Sequence, residues 1–184
     1  MKKEIRLMNV FIIVGFLCTL YWVEASPWGS QAIAQYNEGY GTFDMKVYDA
    51  DSVEQVLGIM QQEGFRLSIL YYIGDYLFIL FFGGTQAMIS QSLCGKWNKI
   101  SYMKKKVHQV SMGAVVVRGI ADFIENTMLV LTLYKYPMVH RGMIMSASIC
   151  TQVKLWCIKL WLISILLVII LKGTEYIGRY RKER

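Results

Sequence analysis

The sequence predicts an all-α, polytopic membrane protein: a bundle of four transmembrane helices with a short amphipathic helix on the extracytoplasmic side. Three observations predict it. Of 184 residues, 55% are hydrophobic and only 18% charged, with a mean hydropathy of +0.36, whereas a soluble domain of this size is more polar. The apolar residues run on continuously rather than alternating with polar ones. Four such runs, about 7–23, 67–90, 109–134 and 144–171, are near the roughly 20 residues needed to cross about 30 Å of hydrocarbon. Residues 1–184 then form a single membrane domain, with 24–66 as the extracytoplasmic loop.

The chain opens with the basic segment Met1-Lys-Lys-Glu-Ile-Arg6, followed by the apolar run Leu7–Val23. A cleaved secretory signal would also begin this way, and Val23-Glu24-Ala25 and Ala32-Ile33-Ala34 offer small residues at a cleavage position. The length of the run, and Tyr21 and Trp22 placed as an interfacial aromatic belt, favour a retained first span.

Residues 24–64 carry seven acids (Glu24, Glu38, Asp44, Asp49, Asp51, Glu54 and Glu63) and one base, Lys46, for a net charge of −6. Their first half, rich in glycine and aromatics, reads as irregular. The second half reads as a helix over 52–63, with a Ser52/Gln55 capping box. Its apolar stripe is Val53, Val56, Leu57 and Met60, and Gly64 offers a stop before the second span.

That span contains Tyr71-Tyr72-Ile-Gly-Asp75 and Gly83-Gly84. Gln91–His108 follows, with Lys96, Lys99, Lys104, Lys105 and Lys106 and no acid; it leads into the third span. A proline-marked turn around Pro137 returns the chain to the fourth span, which is semi-polar through Cys150–Lys159 and apolar through Leu160–Leu171. Basic residues flanking spans face the cytoplasm. The N-terminus, the 91–108 connection and the C-terminal tail are basic and the 24–64 loop acidic, so both termini are placed in the cytoplasm of a multi-pass protein of the cell membrane. The same distribution accounts for the net charge of +7, so no nucleic-acid partner is implied. The cysteines Cys18, Cys94, Cys150 and Cys157 form no CxxC and no pair within the polar loop, giving no support to a redox or zinc role.

The chemistry centres on Arg118-Gly-Ile-Ala-Asp122-Phe-Ile-Glu125-Asn126. Arg118, Asp122 and Glu125 stand at i, i+4 and i+7 and so share a helical face, with Asn126 beside them. Charge in hydrocarbon is expensive and marks a functional site by default. At about 1.5 Å per residue, Asp75 lies roughly 12 Å below the outer end of span two, and Asp122 and Glu125 roughly 14–18 Å below that of span three. Lys154 and Lys159 occupy overlapping depths on span four. Counting Arg118 and both lysines, three bases balance three acids. The expected pairs are Arg118 with Asp122, and Lys154 with Asp75 or Glu125. Lys159, about 140° around the helix from Lys154, fits least well and is left to snorkel or to face another subunit.

Asp122 and Glu125 are the candidate acid and base, and Asp75, Arg118, Asn126, Thr151 and Lys154 the candidate ligand-binding residues. The three carboxylates would suit a divalent cation, but the neighbouring Arg118 and Lys154 oppose one, and no metal or cofactor is assigned. His108 and His140 fall at opposite membrane faces. No serine-histidine-acid set, nucleotide loop or HExxH occurs.

Gly64-Phe-Arg66, Asp75, Asp122-Phe-Ile-Glu125-Asn126 and Thr151-Gln-Val-Lys154 together resemble the pattern of a group of uncharacterised small four-span bacterial membrane proteins. The resemblance covers about 44–165; Asp-x-x-Glu-Asn within an apolar helix is its most specific part. It implies that Asp75, Asp122, Glu125, Asn126, Thr151 and Lys154 form one site, and it supplies no activity. One departure is Ile79, which stands near the place of a proline in that group.

The functional expectation is a buried charged site, open to the outer side, that binds or processes an amphiphile or small molecule. Two other functions use the same residues: proton- or ion-coupled transport by a homo-oligomer, and an accessory or scaffold subunit of a membrane complex. The bland alternative is a purely structural charge network that pins the helices in register.

Overall fold

Each continuous apolar run becomes a long helix, because in the absence of water a helix is the one single-chain element that satisfies its own backbone hydrogen bonds. The computed structural model describes residues 2–43, 46–94 and 102–182. Asp44 of the acidic loop, Lys96 and Lys99 of the basic connection, and Arg184 lie outside the described residues. The helices are α1 (Lys2–Ala25), α2 (Ser30–Ala34), α3 (Ala50–Ile59), α4 (Gln62–Cys94), α5 (Tyr102–Lys135) and α6 (Arg141–Lys182), with no strand among the described residues.

Three helical stretches are long and apolar enough to cross a membrane: Glu4–Ala34, Gln62–Leu93 and Arg141–Thr174. α5, with 34 residues, has the length. Its centre, however, holds Arg118, Asp122 and Glu125, so composition alone does not mark it as a span.

α5 occupies the middle of the bundle, packed against α4 on one side and α6 on the other, while α1 lies against α4. Its buried face follows a heptad seam. Lys104, Ser111, Arg118, Glu125 and Thr132 recur every seventh residue, as do His108, Val115, Asp122 and Leu129, and all nine are buried. α6 answers with Ala147, Lys154, Trp161 and Val168 at the same period, also buried. The opposite faces are apolar and exposed: Val116, Val117, Ile120 and Phe123 on α5, and Leu162, Ile163, Leu166 and Ile170 on α6. A helix bundle that is polar along its seam and apolar outside suits a lipid surround.

α1 packs on α4 through aromatics and close approach. Phe16 stacks on Phe82 with ring centroids 5.6 Å apart, and the Trp22 indole N–H donates to the Leu70 carbonyl at 3.3 Å. The Trp22 ring lies against Gly74, where any Cβ would collide with it. Gly74→Leu is therefore expected to separate α1 from α4 and cost about 1–3 kcal/mol. A thermal-denaturation midpoint in detergent equal to wild type would remove this contact from the account of α1 docking.

Two details of the loop differ from the capping reading. The helix predicted over 52–63 runs from Ala50 to Ile59, and its N-cap is Asp49, whose Oδ1 accepts from the Ser52 amide at 2.8 Å. Hydrogen bonding from the Ser52 side chain, and then from its amide, holds the Asp49 carboxyl below its ordinary range. Ser52 thus serves as the N3 residue, because the aspartate ahead of it is the better-placed acceptor. Gly64 is not a stop either. Met60 takes an extended backbone that breaks the chain between α3 and α4, and Gly64, buried, lets Tyr36 and Met60 approach the first turn of α4. α3 is then tethered to the start of α6, where Arg141 pairs with Asp51 at 2.6 Å and with Glu54 at 3.6 Å. This places the 135–143 turn beside the acidic loop, so that its Arg141 answers loop acids. The exposure of these pairs keeps their contribution small.

Candidate functional site

The i, i+4, i+7 spacing on α5 aims Arg118, Asp122 and Glu125 at the seam, and the antiparallel α6 brings Thr151 and Lys154 opposite them. Arg118 Nη1 lies 3.2 Å from Asp122 Oδ2. Lys154 Nζ stands 3.0 Å from the other Asp122 oxygen and 2.7 Å from Glu125 Oε2. Thr151 Oγ1 donates to Glu125 Oε1 at 2.5 Å. These contacts form one chain, Arg118–Asp122–Lys154–Glu125–Thr151, running along α5 and across to α6. From α4, Asp75 Oδ2 accepts from Asn126 Nδ2 at 2.6 Å, tying the third helix to the same level. All seven sequence-predicted residues are buried, Glu125, Asn126 and Thr151 completely.

Of the expected pairs, Arg118 takes Asp122, and Lys154 takes Glu125 together with Asp122. Lys159 is not in the cluster: it is exposed, its ammonium 4.9 Å from the Trp156 ring centre. The three-against-three balance therefore becomes two buried cations, Arg118 and Lys154, against three buried acids, Asp75, Asp122 and Glu125. The physical reason is helical phase: five residues from Lys154 turn the side chain away from the seam.

Arg118 is held by more than its carboxylate. Nη2 donates to the Ile79 carbonyl at 3.0 Å, and the guanidinium lies over Phe82, 4.5 Å from the ring centre. Gly83 of α4 lies beside the guanidinium. Ile79, which departs from the resembled pattern, thus sits in continuous helix with its carbonyl toward the site.

A cavity of about 270 Å³ opens against this cluster. Asp75, Arg118, Asp122 and Lys154 line it together with Tyr71, Phe78, Phe82 and Ile158, so that charged and apolar side chains alternate along α4 and α6. Val23 and Glu24, at the end of α1, line its rim. Two buried polar atoms at this level, Arg118 Nε and Asn126 Oδ1, have no hydrogen-bond partner among the described residues. A larger depression of about 460 Å³ beside Tyr40 and Lys46 lies on the loop surface, away from every buried charge.

Sequence reasoning missed several participants. Tyr48, from the acidic loop, is buried over the site: its carbonyl accepts from Ser148 Oγ at 2.6 Å and its hydroxyl lies 3.3 Å from Thr151 Oγ1. Nothing local in the loop sequence announces this. A second polar layer lies on the far side of Arg118 from Glu125. There Ser90 and Ser111 hydroxyls are 2.8 Å apart and Trp161 Nε1 donates to Ser90 at 3.0 Å. Gln86, almost fully buried, has neither amide atom partnered among the described residues. The seven-residue recurrence Ser111, Arg118, Glu125 is the signal that could have found this layer.

No family model matches the chain, and neither does any curated protein or solved structure. The chemistry of the site therefore rests on its own geometry. It offers paired acids and bases, withdrawn from solvent among apolar and aromatic side chains.

Proposed function

We propose that the chain is a four-span membrane protein, α5 being the third span, that binds a small amphiphile in the cavity between α1, α4, α5 and α6. In this reading both termini are cytoplasmic, the ligand enters from the side of the acidic loop, and the chain is kin to the small bacterial membrane proteins it resembles. The observation that carries it is the cavity itself, lined by buried charged groups and aromatic rings together. The buried cluster holds two cations against three acids, with Glu24 at the rim. A cationic head neutralises that difference, and the rings of Tyr71, Phe78 and Phe82 favour a cation further. An amine-bearing amphiphile is thus the best fit. Asp122 and Glu125 are the acid and base should the bound molecule also be processed.

The test compares octylamine, octanol and octanoate in a thermal-shift assay on detergent-purified protein. Octylamine is expected to raise the midpoint most, and Ile158→Trp, which fills the cavity, to abolish the difference. Equal shifts from all three, or a shift unaffected by Ile158→Trp, defeats the reading.

Proton-coupled transport is the second reading, favoured by the polar file that continues past Arg118 through Gln86, Ser90, Ser111 and His108. It ranks lower because the Arg118 guanidinium stands across that file, and a fixed positive charge repels a moving proton. Proton flux into dye-loaded proteoliposomes would reverse the order.

A further inference from the structure

Every charged side chain in the middle of α1, α4 and α5 among the described residues is turned inward; Asp75, Arg118, Asp122 and Glu125 are all buried. α6 breaks the pattern. Between Arg141 and Lys172 it carries two lysines, and while Lys154 is buried, Lys159 is exposed. At 1.5 Å per residue Lys159 lies about 20 Å from Lys172 and about 27 Å from Arg141. A lysine side chain is too short to carry its ammonium to either end of the helix by snorkelling. Around it Trp156, Leu160, Leu162 and Ile163 are exposed and apolar. Gln152, exposed two turns toward Arg141, lies on the same stripe as Trp156 and Lys159 at i, i+4 and i+7. α6 is one of the three helices long and apolar enough to cross a membrane. A fixed cation in the lipid-facing middle of such a helix is costly unless an anionic group meets it.

We infer that the Gln152–Trp156–Lys159 face of α6 docks a transmembrane helix of another protein that presents a carboxylate at mid-membrane depth. Charge complementarity selects this occupant. A second copy of the chain offers no counter-charge there, since the exposed acids among the described residues sit at helix ends or in the loop. A symmetric α6–α6 contact would set lysine against lysine. Trp156, 69% exposed, supplies the flat apolar surface beside the charge, and Gln152 a second polar contact that lipid tails do not answer. The inference does not rest on the ligand cavity, which lies on the other side of α6.

The test places the full chain, with a fluorophore at its C-terminus, in phosphatidylcholine vesicles with a synthetic single-span polyleucine helix. The helix bears one central Glu, Gln or Leu and an acceptor dye. Energy transfer is expected to report association about tenfold tighter for the Glu helix than for the Leu helix. The preference should vanish in Lys159→Leu and persist in Lys159→Arg. Because Lys159 is exposed, Lys159→Leu should keep the wild-type thermal midpoint, which verifies that the fold is intact. Equal association of the Glu and Leu helices, or a Glu preference that survives Lys159→Leu, overturns the inference. So does single-molecule photobleaching that finds wild-type dimers which Lys159→Leu dissolves, since the face would then belong to a second copy.

Discussion

Lys154→Met is expected to destabilise the protein by about 3–5 kcal/mol, the typical cost of deleting one partner of a buried ion pair. Lys154 Nζ stands between Asp122 and Glu125, at 3.0 and 2.7 Å, and both lysine and carboxylates are almost wholly withdrawn from the surface. Methionine matches the aliphatic stem, so little of the loss is a cavity term. What remains is two carboxylates that must repel, or take up a proton, where burial withholds most of their solvation. Glu125→Gln in the same chain removes one of the facing charges while keeping an oxygen for the Thr151 hydroxyl. The double variant is expected to recover about 1–3 kcal/mol relative to Lys154→Met, a coupling typical of groups in one network. Reversible denaturation by mixed detergent, followed by circular dichroism, measures both. A Lys154→Met protein within about 0.5 kcal/mol of wild type, the range of ordinary surface substitutions, would mean that water reaches the cluster freely.

How much of this was legible in the sequence follows from which interactions are local. Arg118 and Asp122 are one turn apart on one helix, so their pairing could be read from spacing alone. The helices could be read equally well, since an apolar run of membrane-crossing length has few other uses. Register between helices is a different matter. That Lys154 faces Asp122 and Glu125 rather than another acid depends on how α6 slides against α5, and depth counting fixes that only to about a turn. Helical phase decided Lys159: its depth matched the cluster, but its direction sent it outward. Tyr48 was invisible for a further reason. It comes from a loop rich in glycine, where Gly39 and Gly41 adopt positive φ, and such backbone carries no periodicity from which a direction can be read. The N-cap is the opposite case, where a local rule was right in kind and off by one turn. Asp49 and Ser52 are both good capping residues, and the aspartate, which comes first, took the role.

Arg118→Leu should be as damaging as the loss of Lys154, about 3–5 kcal/mol, and the pattern of its rescue tells more. The guanidinium does three things at once: it neutralises Asp122, donates to the Ile79 carbonyl and covers the Phe82 ring. A lysine can supply the charge but not the fork, so Arg118→Lys is expected to lose about 1–3 kcal/mol rather than the whole amount. Arg118→Leu with Asp122→Asn restores the wild-type excess of one acid over the remaining cation, and should recover part of the loss. If the cluster is also the head-group site, the same double variant should recover stability without recovering the octylamine shift, because Arg118 and Asp122 are two of the charged residues that line the cavity. Recovery of both would assign the charges to helix registration alone, and the cavity would then be a by-product of packing. Recovery of stability with loss of the amine preference would separate the two roles on one pair of residues. It would also explain why two cations and three acids are buried where a single pair would suffice to hold the helices in register.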